Sequence, residues 1–296
     1  MLGQADSSVE ILVSDNASSD ETKEFMAELL LRHSNIKYYR NQENIGADAN
    51  ILNCVNKAEG QYVFLLADDD IALPGAVDKI RQIISGHDVG LIYLNACGIA
   101  AGGEIEREKS VLPLNRDVVC RDGNEFLAIV RVWVTFLSSL VVKKSLYPAD
   151  AEKFFHTHFL QSYGILTAVR STSSYITGDP YVAYQAGNTG GYNFYRTWGY
   201  NFNKLMDYCA GIGYDKKIVR KVKAENMKKY ILPWTMRLKT QKGLESSKGW
   251  FWILRSYKLH PFAIFVLLPL YFAPAALIRV VRRVLEWIVG RRLNID

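Results

Sequence analysis

A chain of 296 residues, 49% hydrophobic and 22% charged, is long enough for one enzyme-sized core with a small appendage and has the composition of an ordinary globular protein. Its four cysteines, Cys54, Cys97, Cys120 and Cys209, lie far apart with no C-x-x-C pair, which suggests neither a disulfide framework nor a zinc site and makes a reducing cytosolic setting the default. The net charge of +6 hides an asymmetry, because residues 1–100 carry 7 Lys/Arg against 15 Asp/Glu (net −8) while residues 201–296 carry 19 against 6 (net +13).

An acidic front calls for cations or polar donors, and a basic rear suits phosphates or an anionic surface. Nucleic acid is a poor partner, since the basic residues fall in no recognisable binding motif. The opening MLGQADSSVE has neither a basic n-region nor an apolar h-region, so no leader is expected there.

Taken in chain order, Val9–Ser14 is an apolar run ending at Asp15-Asn16 and predicts a buried strand. Ser18-x-x-Glu21 has capping-box spacing and predicts a helix over Glu21–His33. Ile36–Tyr39 predicts a second strand, Asn44–Gly46 a turn, and Asp48–Lys57 a second helix. Tyr62–Ala67 is a third apolar strand running directly into Asp68-Asp69-Asp70. Pro74-Gly75 leads into a helix over Ala76–Ser85, and Gly90–Leu94 is a fourth strand. Strands alternating with helices argue for an α/β fold with a mostly parallel, Rossmann-like sheet. Ligands of such sheets bind beyond the carboxyl ends of the strands, where Asp15 and the acidic triplet both fall.

Further on, Glu104–Lys109 reads as a charged hairpin or loop, Asn124–Val134 as a helix, Phe136–Val142 as a strand and Phe155–Arg170 as a helix. Gly178–Asn193 is rich in Gly, Tyr and Asn and predicts a long functional loop. From Asn201 the pattern is helical and dense in Lys and Arg. Two domains are expected, a catalytic one over 1–200 and a basic helical region over 201–296. Within the latter, Pro261–Ile278 is 18 residues without a charge, preceded by Trp250, Trp252 and Tyr257 and followed by Arg279, Arg282, Arg283, Arg291 and Arg292. That is barely a bilayer's width and is interrupted by Pro269 and Pro274, so a peripheral or re-entrant membrane segment is expected ahead of a true span. A buried helix hairpin is the alternative.

Three consecutive carboxylates repel one another, and their cost is lowest where a cation sits among them. A hard divalent ion such as Mg²⁺ or Mn²⁺ takes one or two protein carboxylates and completes its shell with substrate phosphates. If the strand continues through the triplet, Asp68 and Asp70 point the same way. A solvated acidic turn is the plainer alternative.

In content and order SDNASSDET, NQENIGADAN and LLADDDIALPGA resemble family 2 glycosyltransferases of GT-A fold, closely over residues 9–95 and loosely over 130–195. Abequosyltransferase-like enzymes of bacterial surface-polysaccharide or O-antigen synthesis are the subgroup most similar. The resemblance implies a nucleotide-sugar donor whose base meets Asp15, with Asp20 in the same loop and Gly46 and Asn50 close to the nucleoside. By the same token Asp68, Asp69 and Asp70 would serve ribose, metal and diphosphate, with Asp68 and Asp70 as the metal ligands. The plainer readings are a helix-capping or structural Asn50 and a turn-forming Gly46. The family also implies an apolar strand and a helix ahead of Val9 that this sequence does not show, so a form extended upstream is expected to bind donor better.

Inverting members of the family carry a Glu-Asp pair at the start of a helix, and AEKFFHTHFLQSYGIL has none. His156 and His158 lie at about that place and could accept the acceptor hydroxyl's proton, with acceptor binding or a merely polar role as the alternative. Asp150, Glu152 and Asp179 are the next candidates. In GNTGGYNFYRTW, aromatic faces suit sugars and Arg196 could neutralise the departing diphosphate or form a surface salt bridge. The expected activity is metal-dependent inverting transfer to a saccharide acceptor, polyprenyl-linked, at the cytoplasmic face of the inner membrane. A non-catalytic sugar- or membrane-binding chain and a haloacid-dehalogenase-type phosphotransferase are the alternatives, although the latter wants Thr or Val where Ala72 stands.

Overall fold

The computed structural model describes residues 1–100, 102–185, 192–240, 248–258 and 260–280. The chain divides into two compact units, one of Met1–Asn188 with Ile212–Tyr214 and one of Thr189–Gly211 with Asp215–Asp296.

The first unit opens with β1 (Ile11–Asp15), α1 (Thr22–Arg32), β2 (Ile36–Arg40) and α2 (Ala47–Lys57). This is a βα unit whose strands pair in parallel, from Ile11 opposite Ile36 to Asp15 opposite Arg40. The pair forms a sheet of its own. The expected capping box is replaced by a closer solution. Asp20 accepts from the Thr22 amide at 3.1 Å and its hydroxyl at 2.5 Å, while Ser18 is drawn off to Asp15.

The larger sheet is built from β3 (Tyr62–Phe64), β4 (Ile71–Ala72), β5 (Leu91–Ile99), β6 (Ile105–Ser110), β7 (Val118–Cys120), β8 (Leu140–Lys143) and β9 (Ser174–Gln185). Helices α3 (Ala76–Gly86), α4 (Gly123–Val130) and α5 (Leu160–Ala168) intervene. The order is β3-β8-β5-β9-β4, with β6 added to β5 and β7 to β9. This corrects the expected mostly parallel sheet, which is mixed. Among the described residues only β5 and β9 pair in parallel there, and β3/β8, β8/β5 and β9/β4 are antiparallel. The helix–strand alternation of the first hundred residues describes β1 to β2 well but does not say where β8 and β9 return, and those late strands set the sheet's sense.

The core follows from composition. Residues Leu91 to Cys97 of β5 are all buried, as a strand covered on both faces must be. Ile92, Leu94 and Ala96 pack with Ile83 of α3, Val141 of β8 and Val182 of β9. Asn95 is the polar exception. It donates to the carbonyls of Leu112 and Gly178 at 2.8 and 2.7 Å and accepts from the amides of Ala96 and Leu112, stitching the strands where their register shifts.

Two local expectations are corrected and a third is sharpened. The glycine-rich loop over Gly178–Asn193 is strand β9 up to Gln185, because pairing with β5 and β4 overrides its composition; residues 186–191 lie outside the described residues. The charged stretch at Glu104–Lys109 takes the hairpin form of its two expected readings, as strand β6 antiparallel to β5. The helix expected from Phe155 begins only at Leu160, because His156 and His158 have φ of 65° and 60°, outside helical space.

The second unit is helical. A π-type stretch over Tyr195–Asn201 continues into α6 (Phe202–Gly211), followed by α7 (Lys216–Asn226), α8 (Leu232–Thr240), α9 (Gly249–Tyr257) and α10 (Leu268–Phe272). Phe194, Tyr195, Met227, Ile231, Ile253, Ala263 and Leu267 form its core. The uncharged run 261–278 is broken: α10 ends at Phe272, Ala273 is extended and Pro274 follows. No helix among the described residues is long and apolar enough to cross a membrane. Arg282, Arg283, Arg291 and Arg292 lie outside the described residues.

Candidate active site

Strand β1 delivers Asp15 to the start of a tight turn, and its side chain is 1% exposed. One carboxylate oxygen accepts from the Ser18 amide at 2.7 Å, the other from the Tyr38 hydroxyl at 2.6 Å and Arg40 Nε at 3.0 Å. Arg40 also donates to the Ser18 carbonyl at 2.8 Å, clasping the turn from β2. Burial alone would raise the Asp15 carboxyl, but these donors outweigh it and hold it at about 2, against an ordinary 3.8. A folded-state value below the unfolded one stabilises above the unfolded value and is lost as pH falls through the folded one. Asp15 therefore contributes about 2 kcal/mol at neutral pH, lost between roughly pH 4 and pH 2. Urea unfolding of the parent and Asp15→Asn should show a gap of that order at pH 6 that closes towards pH 2. A gap independent of pH would contradict the assignment.

The motifs around Asp15 and Gly46 meet in an asparagine network. Gly46 precedes α2 with φ 85°, a conformation other residues rarely adopt. One turn into α2, Asn50 donates to the Ser14 carbonyl at 2.9 Å and accepts from the Ser14 hydroxyl at 2.7 Å and Asn41 at 2.9 Å. Asn16 accepts from Asn41 and the Ile45 amide and donates to Asn44. The loops after β1 and β2 are thereby fixed as one surface, with Asp20 exposed at its margin.

The acidic triplet follows β3, but the strand does not continue through it, which corrects the expected shared direction of Asp68 and Asp70. After Phe64 the ladder ends with the Leu65 amide on the Leu140 carbonyl at 2.9 Å, and the Asp70 amide turns back to the Ala67 carbonyl at 3.3 Å. Asp70 is half-buried and accepts from the Ser138 hydroxyl at 2.5 Å; the Ala67 amide donates to the same hydroxyl at 2.9 Å. Asp68 and Asp69 are exposed. Burial pushes the Asp70 carboxyl above its ordinary value, the Ser138 hydroxyl opposes this, and the charges of Asp69 and Asp68 add to the push. A carboxylate in that position is relieved by a cation. Among the described residues no group of three or more His, Cys, Asp or Glu could hold a metal by protein ligands alone. The donor set therefore fits Mg²⁺ or Mn²⁺ taken with substrate phosphates, and does not fit a closed protein cage.

The two histidines flank Thr157 in a turn that sequence reasoning did not connect to anything. Asp48 connects it. Its carboxylate, on a residue 6% exposed, accepts from the amides of Thr157 at 2.8 Å, His158 at 3.0 Å and Leu160 at 3.3 Å. A side chain from the first turn of α2 thus ties down the entry to α5 and holds His156 and His158 in left-handed backbone conformations. Both imidazoles are exposed. The site residues that sequence missed are therefore Asp48, Ser138, Tyr38 and Arg40. Their partners lie 23 to 112 residues away, and a single sequence carries no signal of such pairing.

The other candidates have contacts of their own. Asp150 pairs with Lys153 at 2.6 Å in an exposed pair, and Glu152 is exposed. Asp179 lines an open cleft with Lys79, Arg107 and Tyr181 that contains none of the other candidates. Arg196 belongs to the second unit, its guanidinium 5.5 Å from the Trp252 ring centre.

A sequence profile described as glycosyl transferase family 2 matches residues 1–112. Abequosyltransferase RfbV of Salmonella typhimurium is 42% identical over 152 residues, 48% of this chain and 45% of its own. GalNAc(5)-diNAcBac-PP-undecaprenol beta-1,3-glucosyltransferase of Campylobacter jejuni is 34% identical over 110 residues, 37% of this chain and 35% of its own. The chain thus spans less than half the length of the curated relatives it matches. Among solved structures, S. aureus TarS 1-349 in complex with UDP-GlcNAc covers 98% of this chain and 86% of its own at TM-score 0.64 and 14% identity, a likeness of fold. Motif order and these likenesses agree: residues 1–112 match glycosyl transferase family 2, the chain shares sequence with the abequosyltransferase and with other glycosyltransferases over part of its length, and its fold is that of TarS.

Proposed function

We propose that this chain moves a hexosyl or deoxyhexosyl group, with inversion, from a nucleotide-sugar donor to a saccharide acceptor. The observation that carries the proposal is the acidic triplet after β3, with Asp70 clasped by Ser138 and crowded by Asp68 and Asp69. Asp68 and Asp70 are the residues proposed to hold Mn²⁺ or Mg²⁺, which when bound would neutralise the donor diphosphate. Asp15, Asp20, Gly46 and Asn50 are proposed to shape the nucleoside pocket through the network after β1 and β2. The acceptor oxygen attacks the anomeric carbon opposite the diphosphate. The bond from that carbon to the phosphate oxygen breaks, its electron pair leaving with the nucleoside diphosphate. The hydroxyl proton passes to an imidazole nitrogen of His156 or His158.

The Campylobacter relative's name describes an acceptor carried on PP-undecaprenol, which supports a lipid-linked acceptor here. Resemblance to the abequosyltransferase supports a place in O-antigen or other surface-polysaccharide assembly. The uncharged run 261–278 and the +13 charge of residues 201–296 support peripheral or re-entrant attachment to the cytoplasmic face of the inner membrane.

The proton-acceptor assignment is tested by single-turnover transfer. One of His156→Ala and His158→Ala should lower kcat by about 10²- to 10⁴-fold with donor affinity unchanged. If both keep parental kcat, the base lies elsewhere.

A further inference from the structure

Outside the donor site, the most unusual grouping of charge lies within the second unit. Arg196, Tyr200 and Lys204 follow one another at four-residue spacing through the π-type stretch into α6, so they share one side of a continuous helix. Helix α9 lies close against it. A Cβ on Gly199 would come 3.0 Å from Ser256 Oγ, one on Gly249 would come 2.6 Å from the Tyr195 ring, and Asn203 donates to the Ser256 carbonyl at 3.1 Å. That approach sets Trp252 5.3 Å from Tyr200, ring centre to ring centre, and places Arg255 4.8 Å from the Tyr200 ring and 5.7 Å from Trp252. Lys204 lies 5.0 Å from Tyr200, and Arg196 5.5 Å from Trp252.

Three exposed cations therefore gather around two half-buried rings. Among the described residues no carboxylate forms an ion pair with any of them, whereas the neighbouring Lys223 is paired with Asp207 at 2.5 Å. Cation–ring contacts satisfy one face of each cation and leave the repulsion between them in place. The phenol reports the resulting field: burial would raise Tyr200, yet Lys204 and Arg255 draw it below its ordinary value. Beside the cluster, α9 exposes Trp250, Phe251 and Leu254, at 42%, 39% and 38%. Cations that lack an acid, set next to aromatic and aliphatic side chains open to solvent, form the pattern of a membrane interface.

We propose that Arg196, Lys204 and Arg255, braced on Tyr200 and Trp252, form a binding site for the phosphate of an anionic lipid, with Trp250, Phe251 and Leu254 entering the interface beside it. The site deepens the membrane attachment proposed above and rests on it. It turns a diffuse attraction of a +13 region into a defined contact, and it brings the phosphate of a lipid carrier to the same surface.

The test is co-sedimentation of the full chain with mixed phosphatidylcholine–phosphatidylglycerol vesicles and with pure phosphatidylcholine vesicles. Each basic residue at such a surface contributes about 1 kcal/mol, so the double variant K204Q/R255Q should bind the anionic vesicles on the order of 30-fold more weakly. K216Q/K217Q on α7 removes the same charge from exposed positions elsewhere in the second unit and should lose less than about 3-fold. Equal losses in both variants would reduce the effect to net charge and overturn the site, as would a parent chain that ignores anionic vesicles. Parental vesicle binding by K204Q/R255Q, together with loss of inorganic diphosphate binding by calorimetry, would assign the cluster to a free anion and overturn the lipid. If K204Q/R255Q melts well below the parent, R255Q alone serves, with about a 5-fold loss expected. Donor-induced thermal stabilisation is read in the same samples. Its absence in a parent that binds vesicles through the cluster defeats the glycosyltransferase proposal and leaves the site standing.

Discussion

Replacing Asp48 by alanine should destabilise the chain by about 3 kcal/mol and lower transfer by on the order of 100-fold. Three backbone amides, of Thr157, His158 and Leu160, would lose the acceptor that the buried Asp48 side chain provides. Each such loss costs about 1 kcal/mol or more, and the lost helix cap belongs to the same sum. The second effect comes from strain. Two non-glycine residues of left-handed φ, His156 and His158 on either side of Thr157, cost of order 1–3 kcal/mol each and persist only where surrounding contacts over-determine them. Without Asp48 the His156–His158 turn should relax and move its imidazoles from the positions proposed for proton transfer. Asp48→Asn keeps one carbonyl oxygen and should show an intermediate loss, about 1 kcal/mol. Chemical unfolding and single-turnover transfer check both halves. If Asp48→Ala unfolds like the parent, the cap is energetically idle; if it is destabilised but transfers at the parental rate, the turn does not serve catalysis.

The second large effect is expected at the triplet, with the opposite sign for stability. The double variant D68N/D70N should lose about 10³-fold in kcat/KM, the scale of removing preorganised charge at a diphosphate. Without donor it should melt at or above the parental temperature. Asp70 is half-buried beside two like charges, and neutral amides remove that repulsion while leaving Ser138 a hydrogen-bond partner. A structural acidic turn predicts the reverse, a lower melting temperature with turnover retained. The two readouts together therefore separate a ligand site from a turn.

The front of the chain was legible because its contacts are local or short in range. The first two strands and helices fall within about two residues of expectation, since each is an apolar or periodic run bounded by Asn, Asp or Gly. The meeting of the Asp15 and Gly46 motifs follows from a βα unit returning its second strand beside its first. What stayed hidden depends on long-range pairing. The mixed sense of the larger sheet is decided by β8 and β9, and β9 in particular carries the glycines and tyrosines of a loop. Its strand form is imposed by β5 and by the Asn95 bridges to Leu112 and Gly178. Asp48 read as an ordinary acidic residue in a helix's first turn, a favourable place for it on dipole grounds alone. Its partners lie 109 to 112 residues further on. The histidines were found by position relative to a family pattern, and their backbone strain could not be read from residue type.

The central claim, a nucleotide-sugar site at Asp68–Asp70, is tested most directly by thermal shift of the full chain against a panel of UDP-, GDP-, CDP- and dTDP-linked sugars, each with and without Mn²⁺ or Mg²⁺. A donor at 100-fold its dissociation constant adds about 2.7 kcal/mol by mass action. The account predicts a melting-temperature rise of several degrees for one nucleotide class, dependent on the metal and absent in D68N/D70N. A panel that leaves the melting temperature unmoved, or a rise that survives both metal removal and the double substitution, would contradict it.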